Sequence, residues 1–473
     1  MSESFALRHL SSPVALDEDG LHLTPFVPLP SLPAEILGEI FIDCLEEEMV
    51  SPDTQSAPLL LCNVCRRWRD VALSTPSLWS SLAIHFPSHR RRRNLYRNWL
   101  SRAQNTPLSL CLDDSYIHSP DHSTNVMIPT LLESSSQWRN LKLTLGHGLH
   151  LIGLLFRGDS REFSPKIPSL EKLTLSIENL PDNVSLSFRD IPKLRHFALD
   201  LYRPEIQVPW HQLTTFRCGD ITVYDYLEIL QNSCNLVDCS FRAYHRLFSG
   251  DRPPDSHVDH PRLENLAVDF EDRRTLVLLD CLETPALKSL TLQLPTESLF
   301  VATMLSFISR SFIHLQTLAI AGDDGTIVEC LKAMPSLVHL KLSTSQAEPL
   351  FIQLTGKPDF LPKLESLHVV LNGAIVPGSA FTVSLIIGLL RSRWAPQTLS
   401  VAQVRSFRLA SPLLGMGLFG ELNSDPELRR LKREGMVVYI GIWDLKDVFM
   451  ETLWSSPPPP LGAGRIGSIS RLL

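Results

Sequence analysis

From Pro107 onward the apolar positions follow one figure: an apolar residue, two variable ones, a second apolar, one variable, a third apolar. It recurs as Trp138-Leu141-Leu143, Leu170-Leu173-Leu175, Leu194-Phe197-Leu199, Leu213-Phe216-Cys218, Leu236-Cys239-Phe241, Leu263-Leu266-Val268, Leu287-Leu290-Leu292, Leu315-Leu318-Ile320, Leu337-Leu340-Leu342, Leu364-Leu367-Val369 and Val404-Phe407-Leu409. Successive copies begin 32, 24, 19, 23, 27, 24, 28, 22, 27 and 40 residues apart. A period of that size marks units that cannot bury their own apolar face and must stack on neighbours. Alternation within each copy predicts a short strand, and stretches such as Tyr224 to Gln231 and Ile327 to Ala333 have the apolar spacing of a return helix. Proline stands two residues before the first apolar position at Pro168, Pro192, Pro261, Pro285, Pro335 and Pro362, where it is expected to end the return helix and extend the chain.

A different pattern precedes the repeats. In Leu32-Pro33-Ala34-Glu35-Ile36-Leu37-Gly38-Glu39-Ile40-Phe41, proline suits a first helical position and Glu35 meets the positive end of the helix dipole. Ile36, Ile40 and Cys44 form one stripe at i, i+4, i+8, and Leu37, Phe41 and Leu45 a second beside it. A second helix is predicted over Val64-Cys65-Arg66-Arg67-Trp68-Arg69-Asp70-Val71-Ala72. Asn63 caps it, Val64, Cys65, Trp68, Val71 and Ala72 face one way, and Thr75-Pro76 ends it. A unit of about fifty residues buries too little surface to be comfortable alone, so its spare apolar face is expected to dock on a partner.

This stretch, with Pro-Ser-Leu-Trp at Pro76 to Trp79, resembles the F-box. The resemblance implies binding to the Skp-type adaptor of cullin-RING ubiquitin ligases, and places Leu32, Pro33, Ile36, Leu37, Ile40, Val64, Cys65 and Trp68 at the adaptor-facing positions. The acidic connection from Glu46 to Pro58 is longer than in many members. The repeats resemble leucine-rich repeats. They depart from that family where an asparagine is expected after the third apolar residue, since Tyr202 and Ile221 occupy that slot in two copies. Backbone groups there need other partners, so an irregular array is expected, with a long loop from Phe248 to His260.

The predicted organisation is α/β: a mobile leader over 1–30, a helical F-box-like module over 31–82, a basic amphipathic linker helix over 83–106, a leucine-rich-repeat-like solenoid over 107–442 with a curved parallel sheet and outer helices, and a tail over 443–473. A last helix is expected from Asp425 to Glu434 and a last strand from Met436 to Ile440. The run His89 to Arg93 fits a nuclear-localisation or nucleic-acid patch. A solvated helix face whose Trp99 and Leu100 dock on the next unit explains it more simply.

Composition changes this picture little. Content of 44% hydrophobic and 20% charged residues suits a globular chain, and a net charge of −7 argues against general nucleic-acid binding. Nine cysteines without paired spacing suggest reduced thiols and an intracellular setting, cytoplasmic or nuclear; the apolar run Phe381 to Leu390, closed by Arg391 and Arg393, is too short to span a bilayer. Gly462 to Gly467 matches the dinucleotide glycine pattern without the strand, helix and acidic residue that motif needs. Cys62 and Cys65 lack a second ligand pair, and His257, Asp259 and His260, or His118 and His122, read as polar loop residues rather than metal ligands. Neither a nucleophile elbow, a P-loop nor a zinc-protease helix is present, so neither catalysis nor a cofactor is expected.

The resulting expectation is a ligase substrate receptor: one end holds the adaptor and through it a cullin, and the repeat array holds a protein target. Lys142, Arg217, Arg242, Asp269, Thr291, Lys341 and His368 are expected on the target-facing side of the strands. The alternative is a non-catalytic interaction scaffold without ligase association.

Overall fold

The computed structural model describes residues 32–45, 49–86, 92–114, 122–146, 155, 162–163, 167–177, 184–244, 257–294, 300–311, 314–322, 327–371, 383–396, 400–411 and 416–441. The leader, Glu46 to Glu48, His89 to Arg91, His118, most of the Phe248 to His260 loop, Phe381 and the glycine-bearing tail lie outside them.

Helices α1 (Ala34–Asp43), α2 (Leu59–Val64) and α3 (Arg66–Ser74) open the described chain. The strands follow as β1 (Ser81–His85), β2 (Leu108–Asp113), β3 (Trp138–Leu145), β4 (Glu162–Phe163), β5 (Lys172–Ile177), β6 (Ser185–Ser187), β7 (His196–Leu201), β8 (Ile206–Gln207), β9 (Thr215–Thr222), β10 (Asp238–Tyr244), β11 (Val258–Asp259), β12 (Asn265–Phe270), β13 (Leu282–Glu283), β14 (Ser289–Gln293), β15 (Thr317–Ala321), β16 (His339–Thr344), β17 (Ser366–Leu371), β18 (Ser406–Ala410) and β19 (Val437–Gly441). Fourteen of these form one parallel sheet in the order β1-β2-β3-β5-β7-β9-β10-β12-β14-β15-β16-β17-β18-β19. Each strand pairs only with its nearest sheet neighbours in the chain, as stacking of successive units demands. The chain is therefore an α/β array with a long, solenoid-like parallel sheet.

The apolar figure sets the register. Leu141 pairs with Leu173, Leu173 with Phe197, Phe197 with Phe216, Phe216 with Cys239, and Cys239 with Leu266. The row continues through Leu290, Leu318, Leu340 and Leu367 to Phe407. These side chains and the third apolar residues are buried, and the return helices pack on that face. Tyr226 of the helix Val223–Asn232 lies 3.8 Å, ring to ring, from Phe241, and Phe351 of the helix Glu348–Gly356 lies 6.3 Å from Phe407. Leu290→Ala or Leu340→Ala, at positions 0% and 1% exposed, is expected to cost about 2–5 kcal/mol in denaturant unfolding. An unmoved midpoint in both variants would refute this packing.

Three expectations change. First, the sheet starts well before Pro107: Trp79-Leu82-Ile84 repeats the apolar figure, and Leu82 pairs with Leu110 in the same row. The basic helix α4 (Arg93–Ala103) then lies between two strands, with Tyr96 and Trp99 buried, rather than linking two separate units. Second, the register prolines act in turns. The amides of Leu170, Leu194, Leu287, Leu337 and Leu364 donate to the carbonyl three residues back, so Pro168, Pro192, Pro285, Pro335 and Pro362 sit second in a β-turn, the position their fixed φ suits. Third, return segments are not uniformly helical: β4, β6 and β8 form a second small parallel sheet, and β11 pairs with β13.

Main-chain bonds between repeats serve the positions where asparagine is missing. The Tyr202 amide donates to Asp220 O at 2.8 Å and that of Glu271 to Ala243 O at 3.0 Å; one position earlier in its own copy, that of Leu294 donates to Ala321 O at 2.7 Å. Before each strand a further ladder runs along the array, as where the Arg195 and His196 amides both donate to Glu171 O. At Gly146, the same slot of its own copy, the amide donates instead to the Asp114 carboxylate at 2.6 Å.

Candidate functional site

Two regions carry side chains that the packing does not consume. The first is the N-terminal helical module. Pro33 is the N-cap of α1 rather than its first helical residue, and its carbonyl accepts the Leu37 amide at 3.0 Å. Of the two apolar stripes on α1, Leu37 and Phe41 turn inward while Ile36 and Ile40 remain 50% and 43% exposed. Leu37, at 6% exposure, belongs to the core and is not available to a partner as the sequence suggests.

The second helical piece also differs from expectation. It breaks at Cys65, whose sulfur accepts the Trp68 amide at 3.4 Å, so Cys65 rather than Asn63 caps α3. An extended Cys65 turns Val64 away from Val71 and Ala72, leaving Val64 exposed at the end of α2 while Val71 and Ala72 are buried. Trp68 is half-buried, its ring centroid 4.9 Å from that of Phe41. Leu32 and Leu60 are exposed, and the Arg67 guanidinium donates to Leu32 O. Residues 32–64 thus hold Leu32, Ile36, Ile40, Leu60 and Val64, five of the nine exposed large hydrophobics among the described residues. Scattered exposed apolar residues are ordinary; a concentration on two short helices is not.

The second region is the open face of the sheet, opposite the leucines. The variable residue between the second and third apolar positions forms one row: Cys111, Lys142, Thr174, Ala198, Arg217, Ser240, Ala267, Thr291, Ala319, Lys341, His368 and Arg408. The expected residues do not form one site. Arg242 bonds Asp269 at 2.9 Å and lies 3.7 Å from Asp220, so the fold already pairs this cation with carboxylates. Thr291 is buried at 7% exposure. Lys341, His368 and Arg408 are neighbours, and burial aided by those two cations pushes His368 down to about 3, leaving its ring neutral near pH 7.

Lys142 and Arg217 meet at a depression of about 680 Å³ over β3, β5, β7, β9 and β10. Lys172, His196 and Asp238 share it, each one residue before the second apolar position. The two-residue strand period puts that position on the open face as well, a signal in the sequence that the residues between or just after the apolar positions do not carry. Burial, with Arg217 and Lys142 nearby, lowers the Lys172 amine; burial and then Lys172 lower His196. Burial raises the Asp238 carboxyl against the opposing pull of Arg217 and His196. At the far wall a bulge in β9 accommodates Gly219, where a Cβ would lie 2.0 Å from Asp200 O, so only glycine fits that approach. Asp200 accepts the Ser176 hydroxyl.

Another depression, on the helix side, is lined in part by Arg393, whose head is already committed to four carbonyls. His260 is buried and its Nε2 faces Ser233 O at 2.9 Å, in place of a polar loop position. Among the described residues no group of His, Cys, Asp and Glu is placed to hold a metal ion, and no helix is long and apolar enough to cross a membrane.

Neither the protein-family models nor the curated proteins contain a match to this chain. Among solved structures it is similar to a crystal structure of a Bacteroides fragilis protein, at 12% identity and a TM-score of 0.30, over 66% of this chain and 72% of that one.

Proposed function

We propose that the chain is a non-catalytic substrate receptor of a Skp/cullin/F-box type ubiquitin ligase, its N-terminal helices holding the adaptor and the open sheet face holding a protein target. The observation that supports this reading is the exposure of Leu32, Ile36, Ile40, Leu60 and Val64 on a helical module whose sequence resembles the F-box. Such a surface is stable in water at a cost of about 25 cal/mol per Å² of apolar area left wet, a cost that a partner removes. The basic depression on the sheet is the natural place for a target, because its basic side chains outnumber the carboxylates beside them.

The test is capture of a purified Skp-type adaptor by wild type and by the Ile36→Asp, Ile40→Asp double variant, with circular dichroism as the folding control. Both side chains are exposed, so the variant folds; two charges at a surface meant to be dry are expected to weaken capture at least about tenfold, or about 1.4 kcal/mol. Undiminished capture by the folded variant, or no capture by wild type, would remove the ligase reading and leave an interaction scaffold.

A further inference from the structure

The depression over β5, β7 and β9 holds positive charge that the fold does not use. Lys142, Lys172 and Arg217 all line it, and none of them lies within ion-pair distance of a carboxylate among the described residues. Nearby bases on the sheet do pair: Arg139 with Glu171 at 2.6 Å, Arg242 with Asp269 at 2.9 Å, and Lys288 with Glu264 at 2.8 Å. Lys142 and Arg217 are three strand steps apart in one row, about 14 Å, with only the short side chains of Thr174 and Ala198 between them. Two long cationic side chains flanking two short ones form a cup.

Charge decides what fills it. The wall carries two carboxylates, Asp200 and Asp238, against three basic side chains, and burial and then Lys172 lower His196. The cup therefore has one positive charge in excess. One carboxylate completes the balance, whereas a phosphate dianion overshoots it and meets repulsion from Asp200 and Asp238. Lysine and arginine N–H groups and the hydroxyls of Thr174 and Thr215 supply donors for a carboxylate, and the Ala198 methyl with the stems of Lys142 and Lys172 supplies apolar surface for the carbon chain bearing it.

We propose that this cup binds a carboxylate carried on a peptide segment of the target. The inference rests on the reading of the sheet face as the target surface and is independent of adaptor binding. The carboxylate has two possible sources, the C-terminus of a peptide or an Asp or Glu side chain.

The full chain is presented to a random decapeptide array synthesised in three forms: with a free C-terminus, with a C-terminal amide, and with the amide plus Asn and Gln in place of Asp and Glu. A fourth array carries phosphoserine in place of the acidic residues. Saturable capture is expected on the first array and none on the third; loss on amidation assigns the source to the terminus, and persistence on the amide array assigns it to side chains. For the best peptide, Lys142→Gln with Arg217→Gln, and separately Lys172→Gln, are expected to weaken binding at least about tenfold, while Lys288→Gln stays within about twofold. Adaptor capture and thermal midpoint, measured on the same preparations, are expected not to change, which separates failure of this inference from failure of the receptor reading. Absence of saturable capture, equal capture on the carboxylate-free array, preference for phosphoserine, or unchanged affinity in the cup variants would each overturn the proposal.

Discussion

Replacing Arg393 with methionine is expected to lower the unfolding free energy by about 2–6 kcal/mol. Arg393 lies in the helix Val383–Trp394 and is 3% exposed. Its guanidinium donates to Leu354 O at 2.9 Å, Phe360 O at 2.7 Å, Lys357 O at 3.1 Å and Leu361 O at 3.5 Å. The Lys357 and Leu361 carbonyls also accept main-chain amides, from Phe360 and Leu364. The Leu354 and Phe360 carbonyls have no other partner among the main-chain bonds outside regular elements, so the variant leaves about two buried acceptors stranded, at about 1–3 kcal/mol each. Leu354 belongs to the last turn of the preceding return helix, whose negative dipole end helps hold the cation there although burial lowers its proton affinity. Methionine matches the stem and omits the donors, so the loss reads the hydrogen bonds rather than a cavity. Guanidinium denaturation followed by circular dichroism measures it; a change below about 1 kcal/mol would show that water or the backbone rescues the carbonyls.

The second large effect is expected at Trp79, where truncation to alanine should cost about 3–5 kcal/mol. This side chain is fully buried between the helical module and the sheet. Its Nε1 donates to Ala72 O of α3 at 2.9 Å, its ring meets Trp99 of α4 edge-on at 4.9 Å, and the Arg102 guanidinium lies 4.5 Å from its centroid. Trp99 in turn donates to Ser81 O at the start of β1. Because Trp79 is both the end of the helical module and the first apolar residue of the first repeat, the two units share one core. Trp79→Ala is expected to impair adaptor capture and sheet stability together, whereas Ile36→Asp with Ile40→Asp impairs capture alone. Full adaptor capture by a Trp79→Ala chain with a normal denaturation midpoint would refute the shared core.

The eleven apolar triplets were legible because a strand buries alternate residues and a stacked array repeats the demand in every unit; Leu290 and Leu340 lie where that logic puts them. The twelfth triplet, Trp79-Leu82-Ile84, was obscured because Pro76 to Trp79 also closes the helical module. Prolines were legible as boundaries but not as turn residues, since a helix stop and the second position of a β-turn place the same restriction on φ.

What the sequence by itself determined is the parallel array and its register, which follow from short-range periodicity, and the presence of a small helical module with more apolar surface than it can bury. What only the tertiary structure decided depends on neighbours distant in the chain. Leu37 turned inward and Ile36 outward because Phe41 packs on Trp68, a contact with no local signature. Arg393, which reads as a charge closing an apolar run, is buried because carbonyls 32 to 39 residues earlier need a donor. Lys142, Lys172 and Arg217 share one cup because the sheet brings four successive repeats into register, while Arg242, equally basic in sequence, is paired there with Asp220 and Asp269. Periodicity specifies which face of a strand a side chain occupies; whether it is paired, buried or left to bind depends on the strands beside it.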